Sequence, residues 1–235
     1  MLFAGGIMQY GYQCGLIWGA VLSAGARAYQ LHGAVPQTEQ AAIQTGGKLV
    51  ELFRDQNSHI NCQEITDLDR SSSAWKSIKY FLIKGGTIGC IHRASKYAKA
   101  AFEEVNRDMV NVSNGPPNPP VSCSAILARK MGASDLQTTM VSGFAGGIGL
   151  CGGACGALAT AVWMIALRSM SEHDGKVSFN NTMVSNAIEK FSECTDYKFE
   201  CSEIVGREFE NVNDHASYVR NGGCSKVIET LARVG

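Results

Sequence analysis

Apolar residues recur along this chain at spacings of three and four, which is the period of an α-helix that buries one face. Residues 182–191 have such a face, and Asn181 directly before them can cap the helix. Residues 226–234 repeat the pattern at the end of the chain, and residues 155–170 form a continuous apolar and alanine-rich run that predicts a buried central helix. No period-two alternation is long enough for a sheet, so we predict an all-α fold.

Local signals predict further helices. Ser134 and Gln137 have the spacing of a capping box, which indicates the start of a short helix. In the first half of the chain, Thr38 can cap a helix that reaches Phe53, and residues 90–105 form the last helix of that half. Most of the chain is thus predicted to be helical.

The two halves of the chain are copies of one unit. Residues 3–7 (Phe-Ala-Gly-Gly-Ile) return 141 positions later at 144–148, and this alignment gives 11 identities over residues 3–29. Because a repeated unit folds the same way twice, we predict two similar helical lobes related by a pseudo-twofold axis. Three cysteines of each copy match one another: Cys14 with Cys155, Cys62 with Cys201, and Cys90 with Cys224.

A linker is predicted between the copies. Residues 111–120 contain four prolines, one glycine and three asparagines, so we place a first copy at 1–107, a linker at 108–120 and a second copy at 121–235. The first copy begins at its glycine-rich loop, and the counterpart of Cys123 would lie 21 residues before Phe3. The helix that carries this cysteine is therefore missing from the first copy, unless Met1 is an internal start in a longer natural chain.

Composition excludes several classes of protein. Lys plus Arg equals Asp plus Glu at 21 each, so there is no basic surface for nucleic acid. A secretory leader requires a positively charged start, but no Lys or Arg precedes Arg27. The uncharged residues 14–26 are too few to span a membrane. We therefore expect a cytoplasmic protein whose nine cysteines are reduced thiols or metal thiolates.

The cysteines of the second copy stand in glycine- and alanine-rich contexts. These contexts are Ser122-Cys123, the run Gly143-Phe-Ala-Gly-Gly-Ile-Gly149, Ala154-Cys155-Gly-Ala157, Glu200-Cys201-Ser-Glu-Ile and Gly222-Gly-Cys224. As a set they resemble the C-GCAxxG-C-C family of redox-active proteins, over residues 121–235 in full and over 1–107 without the first helix. The resemblance implies a helical domain defined by four such cysteines. The sequence departs from the family pattern at Thr160, where glycine is expected and where the first copy keeps Gly19.

The resemblance also suggests a cofactor. A related domain, in split-Soret cytochrome c, holds an iron–sulfur cluster as well as haem. This chain has no Cys-x-x-Cys-His motif, so we expect no c-type haem. Cysteines at helix starts favour the thiolate that a cluster or zinc requires. We predict an iron–sulfur cluster with Cys123, Cys155, Cys201 and Cys224 as metal ligands, and an incomplete cofactor site at Cys14, Cys62 and Cys90.

Two other functions stay open. The protein could exchange thiols and disulfides without metal, through pairs such as Cys151 with Cys155 or Cys201 with Cys224. Alternatively, the cysteines could only fill the core of a structural or binding protein. A redox function implies a redox partner protein, and a homo-oligomer is left open.

Other candidate ligands are weaker. His92, two residues after Cys90, and His59, three before Cys62, could supply the missing ligand of the first copy, but a surface or capping role is favoured for each. Cys194 is expected to fill the core. The remaining histidines, His32, His173 and His215, have no functional context in the sequence.

Overall fold

The structure is a computed structural model that describes residues 3–110, 121–172 and 181–234. These residues form twelve α-helices, one π-helical turn and no strand, so the predicted all-α fold is confirmed. Residues 111–120 of the predicted linker, and His173, lie outside the described residues.

The first copy contains α1 (Gly15–His32), α2 (Pro36–Asn57), α3 (Cys62–Thr66), α4 (Ala74–Ile78), the π-helical turn (Lys79–Ile83) and α5 (Gly86–Val110). The second contains α6 (Cys123–Lys130), α7 (Asp135–Ser142), α8 (Gly156–Glu172), α9 (Thr182–Cys194), α10 (Cys201–Val205), α11 (Val212–Arg220) and α12 (Ser225–Ala232).

Helix starts follow the capping signals, with one exception. Ser134 and Gln137 form both hydrogen bonds of a capping box at the start of α7, and the Asn181 side chain accepts two backbone N–H groups at the start of α9. The predicted cap at Thr38 is wrong. Helix α2 begins at Pro36, two residues before Thr38, because proline is favoured in the first turn, where its missing N–H is not needed. The Thr38 Oγ1 instead donates a hydrogen bond to the Val35 carbonyl at 2.5 Å.

Each copy contains the same short antiparallel bridge between the start of its central helix and its next cysteine. In the first copy the Cys14 N–H donates to the Ile60 carbonyl at 2.8 Å, and in the second the Cys155 N–H donates to the Phe199 carbonyl at 2.9 Å. The bridge joins Gln13 to Asn61 in the first copy and Ala154 to Glu200 in the second, and these two pairs occupy equivalent positions. The sequence repeat is therefore a repeat of local structure.

The two copies pack through equivalent residues. Phe3 and Phe144 occupy the same position in their copies, and their rings meet edge to face. The Ala154 N–H donates to the side-chain oxygen of Gln13 at 3.0 Å, and these positions are again equivalent. A residue contacts its own counterpart only close to a twofold axis, so this is the contact pattern of an isologous interface.

Glycines allow close contact between the copies. A Cβ on Gly149 would overlap the backbone of Gly47 in α2, and a Cβ on Gly25 in α1 would overlap the backbone at Thr139 in α7. Helix α7 of the second copy thereby packs on both α1 and α2 of the first. The buried residues of both copies form one continuous core.

A membrane crossing has no candidate in the described part of the chain. No helix there combines the length and the apolar character that a bilayer span requires.

Candidate functional site

The four cysteines of the second copy lie where helices begin. Cys123 and Cys201 are the first residues of α6 and α10, and Cys155 directly precedes α8. Cys224 is the N-cap residue of α12 and has a left-handed backbone, with φ at 64°. Backbone N–H groups that have no helical partner surround such positions and favour a negatively charged sulfur.

These four thiols influence one another electrostatically. Burial, with a smaller contribution from the negative charge of Cys123, raises the pKa of Cys155 to about 12. Burial likewise raises the pKa of Cys201 and Cys224 strongly, and the charges of Cys155 and Cys123 contribute to both shifts. Because such effects fall off with distance, the four side chains share one neighbourhood within the lobe.

Cys123 differs from the other three because it has a histidine partner. Burial alone would raise the pKa of its thiol, but the charge and hydrogen bond of His215 outweigh that effect and lower the pKa. The same pair raises the pKa of His215, although burial of the imidazole opposes this. Each member of the pair thus favours the charged form of the other, the thiolate of Cys123 and the imidazolium of His215.

The geometry of His215 fixes its tautomer. Its Nδ1 lies 3.0 Å from the Val121 carbonyl oxygen, which can only accept a hydrogen bond, so Nδ1 carries a proton. The other ring nitrogen is then left for the Cys123 sulfur, as acceptor from the thiol or donor to the thiolate. His215 is 1% exposed and Cys123 is 5% exposed, so the pair is shielded from water.

Two more donors stabilise the Cys123 sulfur. The backbone N–H of Gly146 and the hydroxyl of Ser124 both lower its pKa, and the Ser124 Oγ lies 3.9 Å from the sulfur. Gly146 belongs to the glycine-rich loop before α8, so this loop contributes directly to the thiolate site.

The first copy brings together its own three cysteines. Burial raises the pKa of Cys14 to about 11, and the charges of Cys62 and Cys90 contribute. Cys90 lies inside α5 rather than at its start, and its sulfur is 4.0 Å from the guanidinium of Arg93. The pKa of Cys62 is also raised, mainly by burial.

No counterpart of the cysteine–histidine pair exists in the described part of the first copy. Tyr218 and Tyr80 are equivalent, since each ring packs over a glycine that precedes the last cysteine of its copy. Three residues before them stand His215 in the second copy and Ser77 in the first. The candidate ligands His59 and His92 are exposed, and His59 lies 3.6 Å from Glu64.

The two remaining cysteines occupy different surroundings. Cys151 faces α2 of the first copy, where burial, with a smaller contribution from the charge of Glu51, raises its pKa to about 11. Cys194 at the end of α9 contributes to the raised pKa of Cys155 and accepts a hydrogen bond from Thr230. Cys194 is thus an additional thiol close to the site.

Sequence reasoning missed His215. This histidine has no counterpart in the first copy, so the sequence repeat does not single it out. A detectable signal was its place on the apolar face of α11, which it shares with Val212, Ala216 and Val219. A histidine that is buried in this way needs a polar partner.

The arrangement supports thiol chemistry more directly than metal binding. Within residues 3–110, 121–172 and 181–234, no three His, Cys, Asp or Glu side chains have the mutual geometry that a metal ion requires. The same region holds one thiol whose pKa is lowered next to three thiols whose pKa is raised. That combination is what disulfide formation and exchange require.

No curated protein and no solved structure gives a significant match to the chain. One family model, described as "Putative redox-active protein (C_GCAxxG_C_C)", matches twice, at residues 1–103 and 121–234. Since these matches cover most of the chain, the protein belongs to the C_GCAxxG_C_C redox-active family and carries its domain in two tandem copies.

Proposed function

We propose that the protein is a thiol–disulfide redox protein whose working site is the second copy. The observation that carries this proposal is the pair of Cys123 and His215, which lowers the pKa of one thiol while burial raises the pKa of its neighbours. A protein that stores two electrons in thiols needs one good leaving group beside a second thiol. Cys123 meets the first requirement.

Exposure identifies Cys224 as the second member of the pair. Cys123, Cys155 and Cys201 are buried, whereas Cys224 is half-buried, and the charge of Cys123 is the largest electrostatic contribution to its raised pKa. A partner can therefore reach Cys224 first. We assign the redox couple to a disulfide between Cys123 and Cys224 and its dithiol form.

The exchange reaction balances with a dithiol partner. A partner thiolate attacks the Cys224 sulfur, the bond to Cys123 breaks, and Cys123 leaves as a thiolate stabilised by His215. The second partner thiol then attacks the mixed disulfide and releases Cys224 as a thiol. The partner loses two electrons and two protons and becomes a disulfide, while the protein gains the electrons as the Cys123 thiolate and the Cys224 thiol.

The stabilised thiolate also gives the couple a direction. Stabilising the reduced form makes a disulfide more oxidising. Each unit by which the pKa of Cys123 is lowered raises the reduction potential by about 30 mV. The protein should therefore act as an oxidant towards a partner dithiol.

A redox-buffer titration tests the proposal. The protein is equilibrated with mixtures of reduced and oxidised glutathione, and its disulfides are mapped by mass spectrometry. We expect one disulfide that joins Cys123 and Cys224, its absence in Cys123→Ser, and an unchanged titration in the matched control Cys151→Ser. A wild-type protein that keeps nine free thiols across the whole range would contradict the proposal.

Electron transfer through an iron–sulfur cluster is the second candidate. Its supporting observation is that the charges of neighbouring cysteines help to raise the pKa of Cys155, Cys201 and Cys224, an effect that a bound cation would reverse. The described side chains lack ligand geometry, so this candidate ranks below thiol exchange. Iron and sulfide analysis of anaerobically purified protein, with its visible spectrum, decides between them: a cluster in stoichiometric amount would replace the thiol mechanism.

A further inference from the structure

In the second copy, α6 covers one face formed by α8 and α12. Near its start, the Ser124 side chain lies over Gly156, where an added Cβ would come within 2.9 Å of the Ser124 Oγ. Just past its end, the Met131 carbonyl accepts a hydrogen bond from the guanidinium of Arg168. The helix is thus held at both ends by α8.

The same face of the first copy is a groove. Helices α1 and α5, the counterparts of α8 and α12, line an open groove of about 860 Å³ that no described residue fills. Gly15 and Arg27 line it, and these are the counterparts of Gly156 and Arg168. The contact points for an α6-like helix are therefore present at both ends of the groove.

Exposure differs between matching positions of the two copies. Thr160 and Ala161 of α8 are 0% exposed, but their counterparts Gly19 and Ala20 line the groove and are exposed and half-buried. Phe102 on the α5 side of the groove is 71% exposed. A bare aromatic ring beside a strip of small residues is typical of a surface that another chain covers.

One polar atom in the groove lacks its partner. The Nε of Arg27 is buried and has no hydrogen-bond partner among the described residues. Its counterpart, Arg168, donates to the Met131 carbonyl just past the end of α6. A buried N–H without a partner is unfavourable, and a helix placed as α6 is in the second copy would bring a carbonyl to the Arg27 guanidinium.

We propose that this groove binds a helix of a separate partner protein, with the character of α6: about two turns long, small residues on one face, and a cysteine at its first position. Eight residues form a helix about 12 Å long, which is shorter than the roughly 18 Å of α1 between Gly15 and Arg27 that the groove follows. Its carbonyl end meets Arg27. Its cysteine lies beside Cys14, Cys62 and Cys90, in the place that Cys123 takes in the second copy.

A second copy of this chain is a poorer occupant. Its own α6 is packed in its second lobe, where Ala125, Leu127 and Ala128 are 0% exposed. Withdrawing this helix would expose all three apolar side chains to water, which is unfavourable. A helix from a different protein has no such cost.

Binding of a helical probe peptide to the full chain tests the inference. The peptide has the sequence of residues 121–132 with serine at position 123. A lactam between the side chains of I126E and Lys130 holds it helical, and neither position is among the buried residues of α6. Gly19→Leu fills the groove without strain in the free protein, because a Cβ there meets nothing within 4 Å. Gly89→Leu is the matched control, since that helical glycine is equally open and does not line the groove.

We expect the labelled peptide to bind the wild type and Gly89→Leu equally, and Gly19→Leu at least about tenfold more weakly. A peptide that does not bind, or that binds Gly19→Leu as well as the wild type, would overturn the inference. So would a wild-type dimer that Gly19→Leu dissociates, because the face would then belong to a second copy. These results do not depend on the proposed redox function, since the probe contains no thiol.

A second peptide, with cysteine at position 123, tests where the partner's cysteine lies. Under oxidising conditions it should form a disulfide with Cys14, Cys62 or Cys90, which mass spectrometry identifies. Trapping at any other cysteine, or binding without trapping, would overturn the placement of the partner cysteine.

Discussion

Phe3 and Phe144 pack edge to face with their ring centroids 5.9 Å apart, although the two residues are the same position of a repeated unit. Trp18 extends this contact, since its ring stacks on Phe3 and meets Phe144 edge to face at 4.8 Å. The aromatic cluster joins the two copies at their pseudo-twofold axis. The lobes therefore share a core and are expected to unfold together.

Phe144→Ala should destabilise both copies at once. Removing a fully buried ring costs about 3–5 kcal/mol, and here the cavity opens between the copies. Denaturant unfolding should show one transition at a lower midpoint, with coincident tryptophan fluorescence and circular dichroism. Met183→Ala, at a position 45% exposed on α9, is the control and should shift the midpoint little. Two separate transitions in the Phe144 variant would show that the lobes fold independently.

Gly147→Ala should cost more stability than Gly206→Ala. Both glycines have a left-handed backbone, with φ at 77° and 81°, so each substitution carries a strain of about 1–2 kcal/mol. Only at Gly147 would the new Cβ also overlap the backbone of Gly153, whose carbonyl accepts the Cys201 N–H at 2.6 Å.

Chemical denaturation compares the two glycine variants directly. The Gly147 variant should also lose part of the thiolate character of the site, because the turn positions a cysteine-bearing helix. Equal stabilities of the two variants would contradict this role of the loop.

Cys123→Ser should trap a partner on Cys224. Without the leaving group, a mixed disulfide at the half-buried Cys224 has no internal thiolate to resolve it. After incubation with a disulfide such as oxidised glutathione, mass spectrometry should find the adduct on Cys224 in larger amount than in the wild type. Cys151→Ser should not accumulate it. An adduct on Cys201 in place of Cys224 would reassign the entry point of the partner.

Much of this fold is predictable because its signals are local. The capping box at Ser134, the cap at Asn181 and the repeated cysteine contexts each depend on a few neighbouring residues. The start of α2 was misplaced because two start signals compete within three residues, and Pro36 prevails over Thr38.

The partner of Cys123 could not be predicted in the same way. His215 is 92 residues away in sequence and reaches Cys123 only because α11 packs near the start of α6. The packing of α7 on the first copy is likewise non-local. Cysteine spacing alone does not distinguish a metal site from a thiolate pair, because both need sulfurs in one neighbourhood.

The pH titration of thiolate ultraviolet absorbance in the reduced protein tests the central claim most directly, because it measures ionisation without requiring access to the buried sulfur. An ordinary thiol ionises with a pKa of about 8.5. Since the pKa of Cys123 is lowered, one thiolate should persist as the pH falls below that range and disappear only at lower pH. This thiolate should be absent in Cys123→Ser and should titrate at higher pH in His215→Asn, which removes the imidazolium charge. Identical titrations of the wild type and Cys123→Ser would contradict the account.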